Sequence, residues 1–321
     1  MIIDLPNTGT SALTHRLVSV RGDGGASALS RVLTLVVVTE DDVADAAIEI
    51  AVDASREHPS RVIAVVRGNR RGTSRLDAQI RIGGDAGASE VIVLRMYGPL
   101  AEHGDSVIVP LLLPDAPVVV WWSGAGPDVP SEDPIGRMGQ RRITDAARAK
   151  NPVKWLQQLA VGHAPGDTDL AWSRITRWRS VLAAALDTRP YERVTKISVT
   201  GGSDSPSLEL LADWLGTALD APVTKHRGDA GSGVTAVTLT RASGPITLER
   251  PGGTVGTLTQ PGRPERRIAM QRRTDTDCLV EELRRLDPDE LFGEVLRAGV
   301  PQKRTAAKKS PARKTSGKVQ A

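Results

Sequence analysis

One cysteine stands in the 321 residues, Cys278. A lone cysteine neither closes a disulfide within the chain nor builds a zinc site by itself. The five histidines, His15, His58, His103, His163 and His226, are scattered, and none stands at H-x-x-x-H or H-E-x-x-H spacing. No metal is expected. Long apolar runs are also missing: the longest, 107–122, is broken by Pro110, Pro114, Asp115 and Pro117, well short of the roughly 18–20 residues that span a bilayer. The opening MIIDLPNTGT has neither the basic region nor the apolar core of a secretion signal. The expectation is a cytoplasmic protein with no membrane partner. Nucleotide and nucleophile signatures are absent too. There is no G-x-x-x-x-G-K-[ST] and no G-x-S-x-G, and the glycine-rich stretches at 83–87 and 252–256 do not sit between a strand and a helix. No catalytic residue and no cofactor are therefore expected.

What is present describes a globular chain. Apolar residues make up 40% and charged residues 25%, and the length suits two domains of roughly 100–200 residues each. The net charge of +4 misrepresents the body. Residues 301–321 hold Lys303, Arg304, Lys308, Lys309, Arg313, Lys314 and Lys318 and no acid, so the remaining 35 basic and 38 acidic residues leave a mildly acidic body. Segment 302–321 is Lys, Ala, Pro and Ser with Val319 as its one large apolar residue. Such a composition cannot bury enough surface to order itself. A basic tail of this kind either solubilises or attracts acidic partners. It lacks aromatics for base stacking, so nucleic acid is expected to bind at most weakly and through this tail alone.

The periodicity predicts an α/β fold of two domains with mixed sheets, plus a disordered basic C-terminal tail. Residues 1–30 read as an arm or loosely held strand. The run at 31–38 (RVLTLVVV) is a strand; Thr39 and Asp42 suggest a capping box; Val43, Ala47, Ile50 and Ala54 recur at helical spacing; and 60–66 (SRVIAVV) is the next strand. This β-α-β unit implies a parallel pair. A hairpin follows over 76–82 and 91–96. Residues 103–113 fit helix or strand, 117–122 (PVVVWW) a buried strand, 124–134 a loop, and 141–149 and 152–161 two short helices. GHAPGDT at 162–168 marks the boundary between an N-terminal domain, 31–161, and a C-terminal domain, 169–300. In the second domain Asp169 caps a helix running to 186, 195–200 is a strand and 206–219 a helix. Further strands are expected at 223–226, 234–240, 246–250 and 266–271. Two helices close the body, over 277–286 and then after Asp287, with Leu291 and Val295 facing inward.

Four features carry possible chemistry. GGSDSPS at 201–207 follows a strand and opens a helix, so Gly201, Gly202, Ser203 and Ser205 could present amides to an anion. The simpler reading makes Ser205 the cap and Pro206 the first helical residue, and no Arg or Lys stands in the loop. Trp121 and Trp122 end an apolar strand and point to opposite faces. Either both are core or one is an exposed interface anchor. In AWSRITRWR at 171–179, Trp172, Ile175, Trp178 and Leu182 form one stripe, with Arg179 beside it and Arg174 and Arg177 off its centre. An Arg there needs a carboxylate, an aromatic face or a polar pocket. Finally, Arg137, Arg141, Arg142 and Arg148 surround Asp145, a grouping that suits anion recognition or a solvated charged face.

Taken together, RVLTLVVV at 31–38, LLLPDAPVVVWW at 111–122, RRITDAA at 141–147, DLAWSRITRWRSVLAAALD at 169–187 and GGSDSPSLELLADWL at 201–215 resemble, in order and spacing, the glucose-6-phosphate dehydrogenase assembly protein family, OpcA. The resemblance covers about residues 30–300 and leaves the tail outside. It implies a two-domain α/β protein without catalysis of its own. Such a protein binds glucose-6-phosphate dehydrogenase and promotes its active oligomer or its affinity for substrate, in the pentose phosphate route that supplies NADPH. Some members are linked to thiol control, but Cys278 alone permits no internal disulfide switch. The resemblance brings no catalytic residues. Trp121, Trp122, Arg141, Arg142, Asp145, Trp172, Arg174 and Arg179 stand as candidates for contact with the partner. The competing expectation is an enzyme or sensor that holds a sugar phosphate in GGSDSPS.

Overall fold

A computed structural model describes residues 1–23, 32–83 and 90–300. In chain order the elements are β1 (Ile2–Leu5), α1 (Thr10–Asp23), β2 (Leu33–Glu40), α2 (Ala44–Glu57), β3 (Ser60–Arg67), β4 (Arg75–Ile82), β5 (Glu90–Tyr97), α3 (Gly104–Ile108), β6 (Val118–Trp122), β7 (Arg141–Thr144), α4 (Pro152–Gly162), β8 (Asp167–Asp169), α5 (Leu170–Ser173), α6 (Thr176–Leu186), β9 (Lys196–Gly202), α7 (Pro206–Leu219), β10 (Val223–Gly228), β11 (Val234–Thr240), β12 (Ile246–Glu249), β13 (Val255–Thr259), β14 (Arg266–Ala269), α8 (Asp275–Leu283) and α9 (Glu290–Ala298). The expected α/β class with two mixed sheets is what the molecule has. The basic tail and the hairpin connection at 84–89 lie outside the described residues.

The first sheet has eight strands in the order β1-β4-β5-β3-β2-β6-β7-β8. From β5 to β8 every neighbouring pair is parallel, while β4 and β1 add an antiparallel edge. Strands β2 and β3 read as unbroken apolar runs because a central parallel strand is buried on both faces. On one face Leu35, Val37, Val62, Ala64 and Trp121 pack against α2 and α8. On the other, Val36, Val38, Ile63, Val65 and Trp122 pack with Leu13 and Leu17 of α1 and with Val107 and Ile108 of α3. Residues 2–23, which the sequence pattern presents as an arm or loose strand, are thus an edge strand and a helix that close this face.

The second sheet runs β10-β9-β11-β12-β13-β14, with β9–β10 its one parallel pair. Ile197, Val199, Val237, Leu239 and Leu248 of this sheet share a core with α4, α5, α6, α7 and α9. The two sheets are interlocked in sequence. Strand β8 belongs to the first sheet although it follows the Gly-Pro segment at 162–166, and α8, late in the chain, packs on α2.

Several local expectations are corrected. Residues 141–149 open with strand β7, not a helix: RRIT is drawn into the sheet by pairing with β6 and β8, and only a short 3-10 turn, Ala146–Arg148, follows. Thr39 caps nothing, because it is still in β2, and no side chain caps the turn that starts α2. The final helix starts at Glu290 with Asp289, not Asp287, as cap, so Phe292, Val295 and Leu296 face inward and Leu291 is 43% exposed. Strand β13 adds to the expected set; its VGTLT is short and flanked by glycines, which hides it in the sequence. No helix of the described residues is long and apolar enough to cross a membrane.

Candidate functional site

The strand order of the parallel part, β5-β3-β2-β6-β7-β8, reverses direction between β2 and β6. In doubly wound sheets a ligand binds at this switch point, outside the carboxyl ends of the strands, and a nucleotide phosphate needs glycines and a free helix N-terminus there. Here β2 ends in Glu40, the next turn is Asp41–Val43, and α2 carries Asp45 in its first turn. Together with Asp42, four carboxylates and no glycine occupy the place of a phosphate loop. Arg95 pairs with Asp41 and with Asp45 at 3.1 Å, and Arg70 with Glu40 at 3.4 Å and Glu102 at 3.2 Å. The Ser123 hydroxyl donates to the Thr39 hydroxyl at 2.8 Å, and the Ser123 amide donates to the Val38 carbonyl at 3.1 Å. The polar groups at this end of β2 are engaged by the chain's own partners, and the four carboxylates disfavour a pyrophosphate there.

A buried polar seam joins β7, β8, α5 and α8. Arg141 pairs with Glu282, which also accepts from the Ser173 hydroxyl. Arg142 pairs with Asp167 and donates to the Gly139 carbonyl at 2.7 Å. Asp145 receives a two-pronged bond from Arg174 at 2.7 and 2.8 Å, and Arg174 also holds Asp275 at 2.6 Å. Burial alone would raise the Asp275 pKa, but hydrogen bonds from Arg148 and Arg174 outweigh it and hold the carboxyl below its usual range. Asp169 accepts from the Thr144 hydroxyl and from the Ala146 and Ala171 amides, at 2.7, 2.8 and 2.9 Å. Its burial, reinforced by the nearby charge of Asp145, pushes its pKa up to about 6. The Arg cluster expected around Asp145 therefore disperses: of its four arginines only Arg148 reaches Asp145, and Arg174 from α5's end completes the site.

The tryptophans are core. Trp121 and Trp122 do point to opposite faces, but they are 2% and 3% exposed, since β7 and β8 extend the sheet past β6 and the 124–138 segment folds over Trp122. Neither is an exposed anchor. Trp172 is buried too; its indole N–H donates to Asp289 at 2.8 Å and its ring lies 5.8 Å from that of Phe292. Arg179 is different. Its guanidinium lies over the Trp172 ring, 3.6 Å from the centroid, and one arm donates to the Thr176 hydroxyl at 3.1 Å. Its Nε has no acceptor, and it makes no ion pair among the described residues. Burial lowers its pKa, against the charges of Asp289, Glu281 and Glu282. Arg179 borders a groove of about 870 Å³ between α6 and the α8–α9 connection, with Arg284, Arg285 and Leu291 on its exposed rim. Sequence pattern does not mark Arg284 and Arg285 and reads Leu291 as inward, since LRRLDPDEL carries cap signals and its outward residues have no periodic spacing.

Backbone amides of the loop at 201–207 are engaged within the chain. Gly201 and Gly202 are still in β9. The amides of Gly202, Ser203 and Ser205 donate to the carbonyls of Gly233, Gly228 and Gly202 at 2.7, 3.2 and 3.1 Å. A Cβ on Gly201 would collide with the Gly233 oxygen, so the glycine serves the close approach of β11. Ser205 caps α7 by accepting from Leu208 at 3.3 Å.

The fold is a doubly wound, mostly parallel sheet whose switch point carries four carboxylates, set beside a second, largely antiparallel sheet. Residues 51–161 match the glucose-6-phosphate dehydrogenase subunit N-terminal domain, and residues 165–296 match the C-terminal domain of the same OpcA subunit. The chain belongs to this family of glucose-6-phosphate dehydrogenase subunits. A protein of Synechocystis sp. (strain ATCC 27184 / PCC 6803 / Kazusa), named putative OxPP cycle protein OpcA, is 34% identical over 108 residues, a stretch that makes up 32% of this chain and 22% of that protein. Among solved structures, a 3-ketoreductase from Actinomadura kijaniata in complex with NADP aligns over 84% of this chain and 95% of its own at 10% identity and a TM-score of 0.48. Glucose-6-phosphate 1-dehydrogenase from Mycobacterium avium aligns over 83% and 91% at 11% identity and a TM-score of 0.39.

Proposed function

We propose that this chain is a non-catalytic subunit that binds glucose-6-phosphate dehydrogenase and favours its active state, in the oxidative pentose phosphate pathway of the cytoplasm. The observation that carries the non-catalytic part is the switch point, where Glu40, Asp41, Asp42 and Asp45 stand in place of a phosphate loop. Membership of the family supports the choice of partner. The surface assigned to the partner is the groove of Arg179, Arg284, Arg285 and Leu291, because Arg is enriched at interface hot spots and these guanidinium groups lie at its edge. Of the other candidates, Arg141 and Trp172 line that groove from its buried side. Two domains, 31–161 and 169–300, are retained, with β8 and α8 crossing back to the first. Activation requires tighter binding to the active dehydrogenase than to the inactive form. The test is to titrate purified chain into glucose-6-phosphate dehydrogenase from the same source while following both complex formation by light scattering and initial rate. A saturable complex with a raised rate or a lowered KM is expected; no complex at micromolar concentrations of both proteins overturns the proposal.

A further inference from the structure

On the far side of α6 from the Arg179 groove, a cavity of about 260 Å³ opens between that helix and the second sheet. Ile175 and Trp178 form an apolar wall, and four arginines, Arg174, Arg250, Arg272 and Arg273, line the cavity together with the loop at 204–207. Two of the four are neutralised. Arg174 is held by Asp145 and Asp275, and Arg273 pairs with Glu281. The other two have no carboxylate among the described residues.

Arg250 is the unusual one. It follows β12 and is only 7% exposed. Its guanidinium donates to the carbonyls of Met270 at 2.9 Å and Val234 at 3.0 Å and lies 5.2 Å from the centroid of Trp178. Its Nε–H has no acceptor. Arg272, at the exposed rim, donates to the carbonyls of Gly231, at 2.7 Å, and Ser232. Burial, then repulsion from Arg272, lowers the Arg250 pKa to about 10. The one carboxylate in the lining, Asp204, is exposed and accepts from the Gly231 amide at 2.8 Å through Oδ1.

A buried cation without a counter-charge is unfavourable, and carbonyl dipoles offset only part of the loss of water. A fold that places one such buried guanidinium, Arg250, and a second, solvent-exposed one, Arg272, around one cavity leaves room for an anion to complete it. The buried charge of Arg250 and the rim charge of Arg272, set against the exposed Asp204, leave the cavity net positive and suited to a phosphate. The volume lies below the 300–1,000 Å³ usual for larger ligands, which excludes a dinucleotide. The apolar wall and the exposed Asp204 carboxylate suit a small organic body with hydroxyl groups.

We infer that this cavity binds a phosphomonoester of sugar-phosphate size, with the phosphate between Arg250 and Arg272 and the carbon skeleton against Trp178. Asp204, Ser205, Pro206 and Ser207 also line this cavity, but the amides of Gly202, Ser203 and Ser205 are spent on the chain's own carbonyls, and the site does not depend on the dehydrogenase.

The test is isothermal titration calorimetry of the full chain, without any dehydrogenase, against glucose 6-phosphate, 3-phosphoglycerate, glucose and inorganic phosphate. Saturable heat is expected with at least one phosphomonoester and none with glucose. Arg250→Gln should abolish it. Because Arg250 also ties Val234 to Met270 and that variant could fail to fold, Arg272→Gln at the rim is the second variant, with folding checked by circular dichroism. Loss of one charge-assisted contact should weaken binding about tenfold or more. Absence of saturable heat with both phosphomonoesters at millimolar concentration overturns the inference, as does full affinity in folded Arg272→Gln. Inorganic phosphate binding as tightly as either ester overturns the assignment to a metabolite.

Discussion

Arg174 and Arg179 stand five residues apart on adjoining helices and are held in opposite ways. Arg174 is clamped by two carboxylates, Asp145 and Asp275. Arg179 has an aromatic face, one hydroxyl and no carboxylate. Removing Arg179 therefore leaves no stranded buried charge, whereas Glu282→Ala would strand Arg141 and destabilise the protein by ~3–5 kcal/mol. Arg179→Ala is expected to fold normally yet weaken activation of the dehydrogenase by ~2 kcal/mol, roughly thirtyfold in affinity. Unfolding of Arg179→Ala, or activation intact at limiting concentration, would move the interface elsewhere. Asp169 provides a second measurement. Its native carboxyl keeps its proton up to about pH 6, against an ordinary aspartate value of 3.8. The native state then binds more protons than the unfolded state between these values, so this residue's contribution to stability falls as pH rises from about 4 to 6. The slope of Tm against pH in that window should flatten in Asp169→Asn; an unchanged slope would show that Asp169 is not the titrating group. Cys278 needs no role: it is fully buried, and burial pushes its thiol up to about 12.

At the scale of elements, residue type predicts most of the skeleton and fails where pairing overrides propensity. The β2-α2-β3 unit and the β4–β5 hairpin are legible from β-branched runs and alternation, and Ser205-Pro206 marks the start of α7. Strand β7 is not legible. RRITDAARA has helix-forming Ala and Arg, and only the neighbouring β6 and β8, 20 or so residues away on either side, make it a strand. The tryptophans mislead for a related reason. A strand end looks exposed in one dimension, but β7 and β8 continue the sheet beside Trp121 and α2 and α8 pack over its face. Asp289 shows one side chain serving two elements: it caps α9 through Phe292 and accepts the Trp172 indole. Neither partner of such a bond is visible from local spacing, since 117 residues separate them.

For the whole molecule, the parallel sheet keeps the strand order of a nucleotide-binding domain while its switch point carries acid. NADPH brings a pyrophosphate, which would meet Glu40, Asp41, Asp42 and Asp45, with Arg70 and Arg95 already paired to Glu40, Asp41 and Asp45. A fluorescence titration should show no saturable NADPH binding at submillimolar concentration, and the isolated chain should not oxidise glucose 6-phosphate. Turnover abolished by a point change in this chain would overturn its assignment as a non-catalytic subunit. The two halves are also hard to separate. Helix α8 belongs to the core of the first sheet, so cleaving the chain at 162–168 would expose Cys278, Leu279 and Leu283 on one fragment and the facing side of α2 on the other.

The sequence by itself determined the fold class, the lack of metal and nucleotide motifs, the acidic body and the β-α-β start, because composition and short-range periodicity are local properties that survive without a partner segment. It also carried the family, through the spacing of LLLPD, WW and AWSRITRWR. Which arginines are spent and which are free was decided by tertiary structure alone. Arg141, Arg142 and Arg174 look the same in sequence as Arg179 and Arg250, yet the first three meet carboxylates and the last two do not. Two of those carboxylates, Asp275 and Glu282, arrive from more than 100 residues away. Charge compensation depends on distance in space, and only the packing of α8 between the sheets brings those charges within reach.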